Sequence, residues 1–134
     1  MSSGSKFDQP ARKFRAVDIE QLVCKNDQWW YKGSSGQVQV ILVWLQGRVV
    51  SLSPDKTQVE LEDDGWTLPL KNCHTIPGGN SWLQEGQYVM VVGEVKGDTG
   101  NVAIHVLKMA DLSSNSVHKT TWPLEVQEIK SIIG

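Results

Sequence analysis

Gln37-Val38-Gln39-Val40-Ile41-Leu42-Val43-Trp44-Leu45-Gln46-Gly47-Arg48-Val49-Val50-Ser51-Leu52 reads as a long β-strand. Val38, Val40, Leu42 and Trp44 alternate with Gln39, Ile41, Val43 and Leu45, and the middle, Val40 to Leu45, is apolar on both faces. Gly47 interrupts the run, and a glycine inside a long strand often marks a bulge or a sharp bend. A strand bent in this way can pair with two different neighbours, which a small closed barrel requires.

Downstream, Pro54-Asp55-Lys56 is a turn, and Thr57 to Glu62 alternates cleanly with one face solvated. Asp64-Gly65 is a hairpin signal, followed by the return strand Trp66-Thr67-Leu68-Pro69-Leu70. Pro69 makes the end of that strand an edge or an exit. Residues 71 to 85 form a loop with Pro77-Gly78-Gly79, in which Trp82 and Leu83 plug into the core. Tyr88 to Val95 reads as a central strand, Gly97-Asp98-Thr99-Gly100 as a hairpin turn and Asn101 to Met109 as its partner strand. Upstream, residues 1 to 14 read as disordered. Asp18 caps a short helix from Ile19 to Cys24, with Ile19, Leu22 and Val23 inward. Trp29-Trp30-Tyr31 is extended, and Gly33-Ser34-Ser35-Gly36 is a flexible break.

A bent strand, a hairpin, a connector and a second hairpin make five strands. That order matches an all-β Greek-key barrel of the OB-fold type, with the helix between its third and fourth strands short or absent. The expected organisation is an N-terminal extension over 1–35, partly disordered, a barrel over 36–112 and a C-terminal helix over 113–134. On that helix Trp122, Val126, Ile129 and Ile133 form one stripe at i, i+4, i+7 and i+11. Either the domain's own body covers this stripe, or another protein does.

The 134 residues suit one domain, and 40% apolar content suffices for one core. A net charge of −2 argues against a surface built wholly for phosphate. Lys6, Arg12, Lys13 and Arg15 read as a solvated arm. Cys24 and Cys73 make no metal spacing and no disulfide framework, so they read as reduced thiols. Met1-Ser2-Ser3-Gly4-Ser5 has no apolar signal-peptide core, and no run approaches membrane-spanning length. A soluble cytosolic or nuclear protein is expected.

Nothing points to catalysis or to a cofactor. Cys73-His74 are sequence neighbours, which seldom point at each other as a nucleophile and base must. His74, His105 and His118 lack ligand spacing, and His105 reads as a packed or interface side chain. Gly97-Asp98-Thr99-Gly100 lies between strands rather than before a helix, so it is no phosphate loop. Asp55, Glu60, Glu62, Asp63 and Asp64 crowd the hairpin that flanks the usual single-strand-binding surface of such barrels, where they would repel phosphate. Trp29, Trp30 and Trp66 could still stack on bases, although core packing accounts for most of the six tryptophans. Lys108, in an otherwise apolar strand, is either a snorkelling lysine or a charge at an interface. Trp122 either packs back on the barrel or serves as an interface hot spot.

Three blocks carry a resemblance. Val43 to Val50, Gly86 to Gly93 and Leu107 to Ser113, extended by Val117 to Trp122 and Leu124 to Val126, together resemble the family of RecQ-mediated genome instability protein two. The match covers roughly residues 38 to 130. It implies a nuclear, non-catalytic OB-fold subunit that needs no cofactor. Such a subunit pairs with the C-terminal OB domain of a larger sister subunit, in a complex with the Bloom helicase and topoisomerase III alpha. That complex dissolves double Holliday junctions without crossover. The paired OB domains also dock a Fanconi anaemia M peptide, and direct nucleic-acid binding is weak or absent. The resemblance places partner contacts on Lys108 and Trp122, and the stripe adds Val126, Ile129 and Ile133.

The family's helix starts near Asn115, whereas this chain has Pro123 just after the tryptophan. A helix from about Asn115, distorted at Pro123, is favoured over one beginning near Thr121, because Asn115 is a good cap. The leading reading is a structural subunit that buries its terminal helix and last strand on a partner. The alternatives are a single-stranded DNA-binding protein and, last, an enzyme.

Overall fold

The computed structural model describes residues 11–33 and 36–133, with side chains described to residue 129. From the N-terminal side the elements are β1 (Arg12–Lys13), α1 (Ala16–Glu20), β2 (Val23–Lys25), β3 (Gln28–Gly33), β4 (Gly36–Val40) and β5 (Leu42–Leu52). They continue with β6 (Gln58–Asp63), β7 (Trp66–Lys71), β8 (Tyr88–Asp98), β9 (Asn101–Asp111) and α2 (Val117–Ile133).

β5 is the bent strand expected around Gly47. From Leu42 to Arg48 it pairs antiparallel with β8, and from Arg48 to Leu52 it pairs antiparallel with β6. A β-carbon on Gly47 would lie 2.5 Å from the Glu62 carbonyl oxygen, so only glycine permits this approach. The turn Asp64-Gly65, with φ of 54° and 84°, joins β6 to β7 as a left-handed hairpin turn. β7 runs parallel to β9 through Leu70↔Ile104, β8 and β9 form the second hairpin, and the β5–β8 pairing closes the barrel. This is the Greek-key connectivity of an OB-fold. Between β7 and β8 a single 3-10 turn, Cys73–Thr75, replaces the usual helix.

The upstream half of the long run differs from the reading as one strand. It breaks at Ile41, and β4 joins β2 and β3 in a separate antiparallel sheet of three strands. β8 runs further than expected, to the pair Asp98↔Asn101, β9 continues past Met109 to Asp111, and a bulge lies between Val92 and Gly93.

Residues 12–33 are no peripheral extension. Phe14, Ala16, Ile19, Leu22 and Trp29 are buried in the same cluster as Val43, Leu61, Leu68, Leu83, Val91 and Ile104. The first helix lies earlier than expected because Arg15, not Asp18, precedes it. Asp18 sits in the first turn, where its carboxylate accepts the Arg15 backbone N–H at 2.9 Å. Of the disorder expected for residues 1 to 14, residues 1–10 lie outside the described residues, as do Ser34 and Ser35 of the expected break.

Candidate functional site

The outer face of the barrel and the terminal helix meet at one place. Alternation along β5 turns Val43 and Leu45 into the core and Leu42, Trp44 and Gln46 outward. Register then sets an outer row across four strands, Lys13↔Trp44, Trp44↔Val92 and Val92↔Lys108. Lys13 and Lys108 are thus three strand spacings apart, about 14 Å. Lys108 is exposed, and Trp44 and Val92 are half-buried. The Lys13 ammonium sits 4.9 Å from the centre of the Trp44 ring.

α2 packs against β1 and β5 at the Lys13 end of this row. Trp122 and Val126, four residues apart on one helix face, are each 1% exposed. Together with Leu42 and Met90 they are buried outside the barrel's core cluster, on its exterior. The chain's own body therefore covers the upper half of the stripe. Ile129 is half-buried, and the side chain of Ile133 lies outside the described residues. Leu124 stands about 200° round the helix from Trp122 and is 66% exposed. Val117, two turns before Leu124 on that outward face, is 56% exposed.

α2 begins at Val117, two residues after the expected cap. Asn115 still caps it, since its side-chain oxygen accepts the Val117 N–H at 3.0 Å. The helix passes through Pro123 rather than starting there.

Two residues of the N-terminal segment hold the helix. Arg15 makes a forked pair with Asp63, Nε to Oδ2 and Nη2 to Oδ1, both 2.7 Å. Asp63 Oδ2 also accepts the Ala16 N–H at 3.2 Å and the Trp122 indole N–H at 3.3 Å. The hydrogen bond to Asp63 raises the Arg15 pKa against the opposing effect of burial. Lys13 donates to Glu125 Oε1 at 2.8 Å, and the Thr121 hydroxyl to Glu125 Oε2 at 2.9 Å. Burial raises the Glu125 pKa, but these hydrogen bonds and the lysine charge outweigh it and leave the carboxyl below its usual value. Lys13 and Arg15 are thus committed side chains, contrary to the solvated arm expected for them; Lys6 lies outside the described residues. Asp63, counted among carboxylates facing a nucleic-acid surface, is 8% exposed and turned to Arg15 instead. Nothing in the one-dimensional pattern signalled this pair; only an acidic residue at an inward position of β6 hinted at it.

The other chemistry-bearing residues stay apart. Cys24 and Cys73 are free thiols, and burial pushes Cys73 up to about 12. His74 is exposed, and His105 is half-buried on β9. Among the described residues no three His, Cys, Asp or Glu side chains stand together as a metal site, and no helix is long and apolar enough to cross a membrane. The arrangement offers packing surface and hydrogen bonds.

Known proteins resemble this chain at both levels. The family described as RecQ-mediated genome instability protein 2 matches residues 13–130. RecQ-mediated genome instability protein 2 of Mus musculus is 34% identical over 92 residues, 69% of this chain and 60% of the mouse protein. That of Gallus gallus is also 34% identical over 92 residues, 68% of this chain and 67% of its own length. The chain therefore spans under two thirds of the mouse relative. By structure it resembles the Stn1–Ten1 complex of S. pombe, with a TM-score of 0.73, 9% identity and coverage of 93% and 94% of the two chains. A replication protein A heterotrimer bound to single-stranded DNA gives a TM-score of 0.72 at 15% identity, with coverage of 90% and 94%. These two likenesses are of fold.

Proposed function

This chain belongs to the family of RecQ-mediated genome instability protein 2, and from that membership we propose that it is a non-catalytic structural subunit. In this proposal it pairs with the C-terminal OB domain of a larger sister subunit. The pair acts in the nucleus and steadies a complex of Bloom helicase and topoisomerase III alpha that dissolves double Holliday junctions. The same pair docks a Fanconi anaemia M peptide. Family and fold support the coarser role of a genome-stability OB-fold protein directly.

The observation that carries the pairing is the outward face of α2. Its inner side is already satisfied by the barrel, yet Val117 and Leu124 remain exposed. Large apolar side chains left in water on one helix face mark a surface that gains by burial. The role of Trp122 changes accordingly: it seats the helix, and Leu124 and Val117 reach the partner. Lys108 supplies a polar contact at the rim.

Isothermal titration of the chain with the sister subunit's OB domain tests this. Leu124→Glu is expected to weaken association by about 2 kcal/mol or more, as for a central apolar contact, with the melting temperature unchanged. Wild-type affinity in that variant removes the helix face from the interface. Trp122→Ala is expected to weaken association and stability together, whereas Lys108→Ala weakens association alone.

Single-strand binding is the second reading, favoured by Trp66, which is 47% exposed on the β6–β7 hairpin. Glu60, Glu62 and Asp64 lie on the same hairpin and disfavour phosphate. Tight binding of a labelled oligonucleotide at physiological salt would reverse this ranking.

A further inference from the structure

We infer that Asp63 and Arg15 form the seat that fixes α2 on the barrel, so that residues 12–16 belong to the partner-binding apparatus through their hold on α2. The second half of this inference rests on the pairing reading; the first half does not.

Asp63 occupies an inward position on β6, after the buried Val59 and Leu61. An isolated carboxylate there would be costly, because burial strips its water. Four donors offset that cost, and they come from two distant parts of the chain. Arg15 supplies two side-chain N–H groups and Ala16 a backbone N–H, while Trp122 supplies its indole N–H from more than fifty residues further on. Both carboxylate oxygens are already engaged by the Arg15 fork, which fixes the direction of Oδ2. That orientation presents the oxygen to Trp122, itself 1% exposed, whose N–H would otherwise be buried without an acceptor.

A second brace comes from the same short segment. Lys13, two residues before Arg15, reaches Glu125, three residues beyond Trp122. The segment carrying these braces lies against β5, with Arg12↔Val43 and Lys13↔Trp44 in parallel pairing and the Phe14 N–H donated to the Trp44 carbonyl at 3.2 Å. It is a strip between barrel and helix, and the helix inherits its position from it. Because the contact is forked, the guanidinium shape matters as well as its charge, and lysine cannot reproduce it. Asp63 and Arg15 are positioning residues: they act on a partner only through α2.

Amide hydrogen exchange on the isolated chain tests the seat without any partner, using Asp63→Asn and Arg15→Lys. Exchange in α2 over residues 117–129, and of the Trp122 indole N–H, is expected to accelerate at least about tenfold. Amides of β5 and β8 should keep their wild-type protection. Equal acceleration in barrel and helix, or an unchanged helix, overturns the seat. Should Asp63→Asn fail to fold, Arg15→Lys, which keeps the charge, carries the same comparison. Titration with the sister OB domain then reads the consequence: both variants should lose about tenfold or more in affinity. Wild-type affinity alongside a loosened helix overturns the link to pairing. A wild-type chain that never binds the OB domain sinks the pairing reading, and exchange still decides the seat.

Discussion

At the residue scale three positions show how close approach and local hydrogen bonding write themselves into the sequence. Gly47 was legible because a glycine inside an apolar run has few other reasons to be there. What the run did not reveal is the obstacle, the Glu62 carbonyl oxygen 2.5 Å from where a β-carbon would stand. Gly93 has the same relation to the His105 carbonyl oxygen, also at 2.5 Å, and the same signal was available for it. Gly47→Ala forces backbone apart and is expected to destabilise by about 2 kcal/mol or more in urea unfolding; an unchanged midpoint would remove the steric account. Asp55 lies in the exposed turn before β6, where the Ser53 and Thr57 hydroxyls and the Thr57 N–H donate to one carboxylate oxygen. Its pKa is held down to about 2, chiefly by the Ser53 hydroxyl and then by Thr57. A folded pKa below the unfolded value of about 3.9 means that the turn is favoured above that pH. The contribution is lost as pH falls through about 2. Carbon-detected NMR titration should give Asp55 a midpoint near that value, and a midpoint near 4 would deny the hydroxyl clasp.

At the scale of elements α2 is the instructive case. Its stripe was readable at i, i+4, i+7 and i+11, because a helix repeats every 3.6 residues. The stripe could not say which body covers it. Trp122 and Val126 are covered by the chain itself, since the Lys13–Arg15 strip and Asp63 provide a matching seat. Apolar spacing is the same for an inner and an outer contact. Pro123, seven residues into the helix, denies the Lys119 carbonyl its usual donor. Pro123→Ala is therefore expected to raise stability by about 1–3 kcal/mol, read as a higher melting temperature. An unchanged or lower temperature would mean that the proline ring is itself a required contact. Trp122→Ala should cost about 3–5 kcal/mol of stability, as for a fully buried aromatic. Leu124→Ala should cost almost none, and that contrast by chemical denaturation separates the seated face from the free one.

At the scale of the whole molecule the N-terminal third decides the outcome. Phe14, Ala16, Ile19 and Leu22 are at most 1% exposed and close one side of the barrel. Deleting residues 1–22 is expected to abolish cooperative thermal unfolding followed by circular dichroism, because large buried side chains leave together. A truncated chain that still melts sharply would mean that the barrel does not need residues 12–22. Local pattern determined the five barrel strands, the bend at Gly47, the Asp64-Gly65 hairpin and the amphipathic end, all of which follow from periods of 2 and 3.6 and from backbone freedom at glycine. Tertiary structure alone decided that the upstream strand breaks at Ile41 into a second sheet, that Lys13 and Arg15 are committed, and that Trp122 faces inward. Those outcomes depend on which distant group stands opposite. Arg15 meets Asp63 across 48 positions and Asp63 meets Trp122 across 59, separations that no local window of sequence spans.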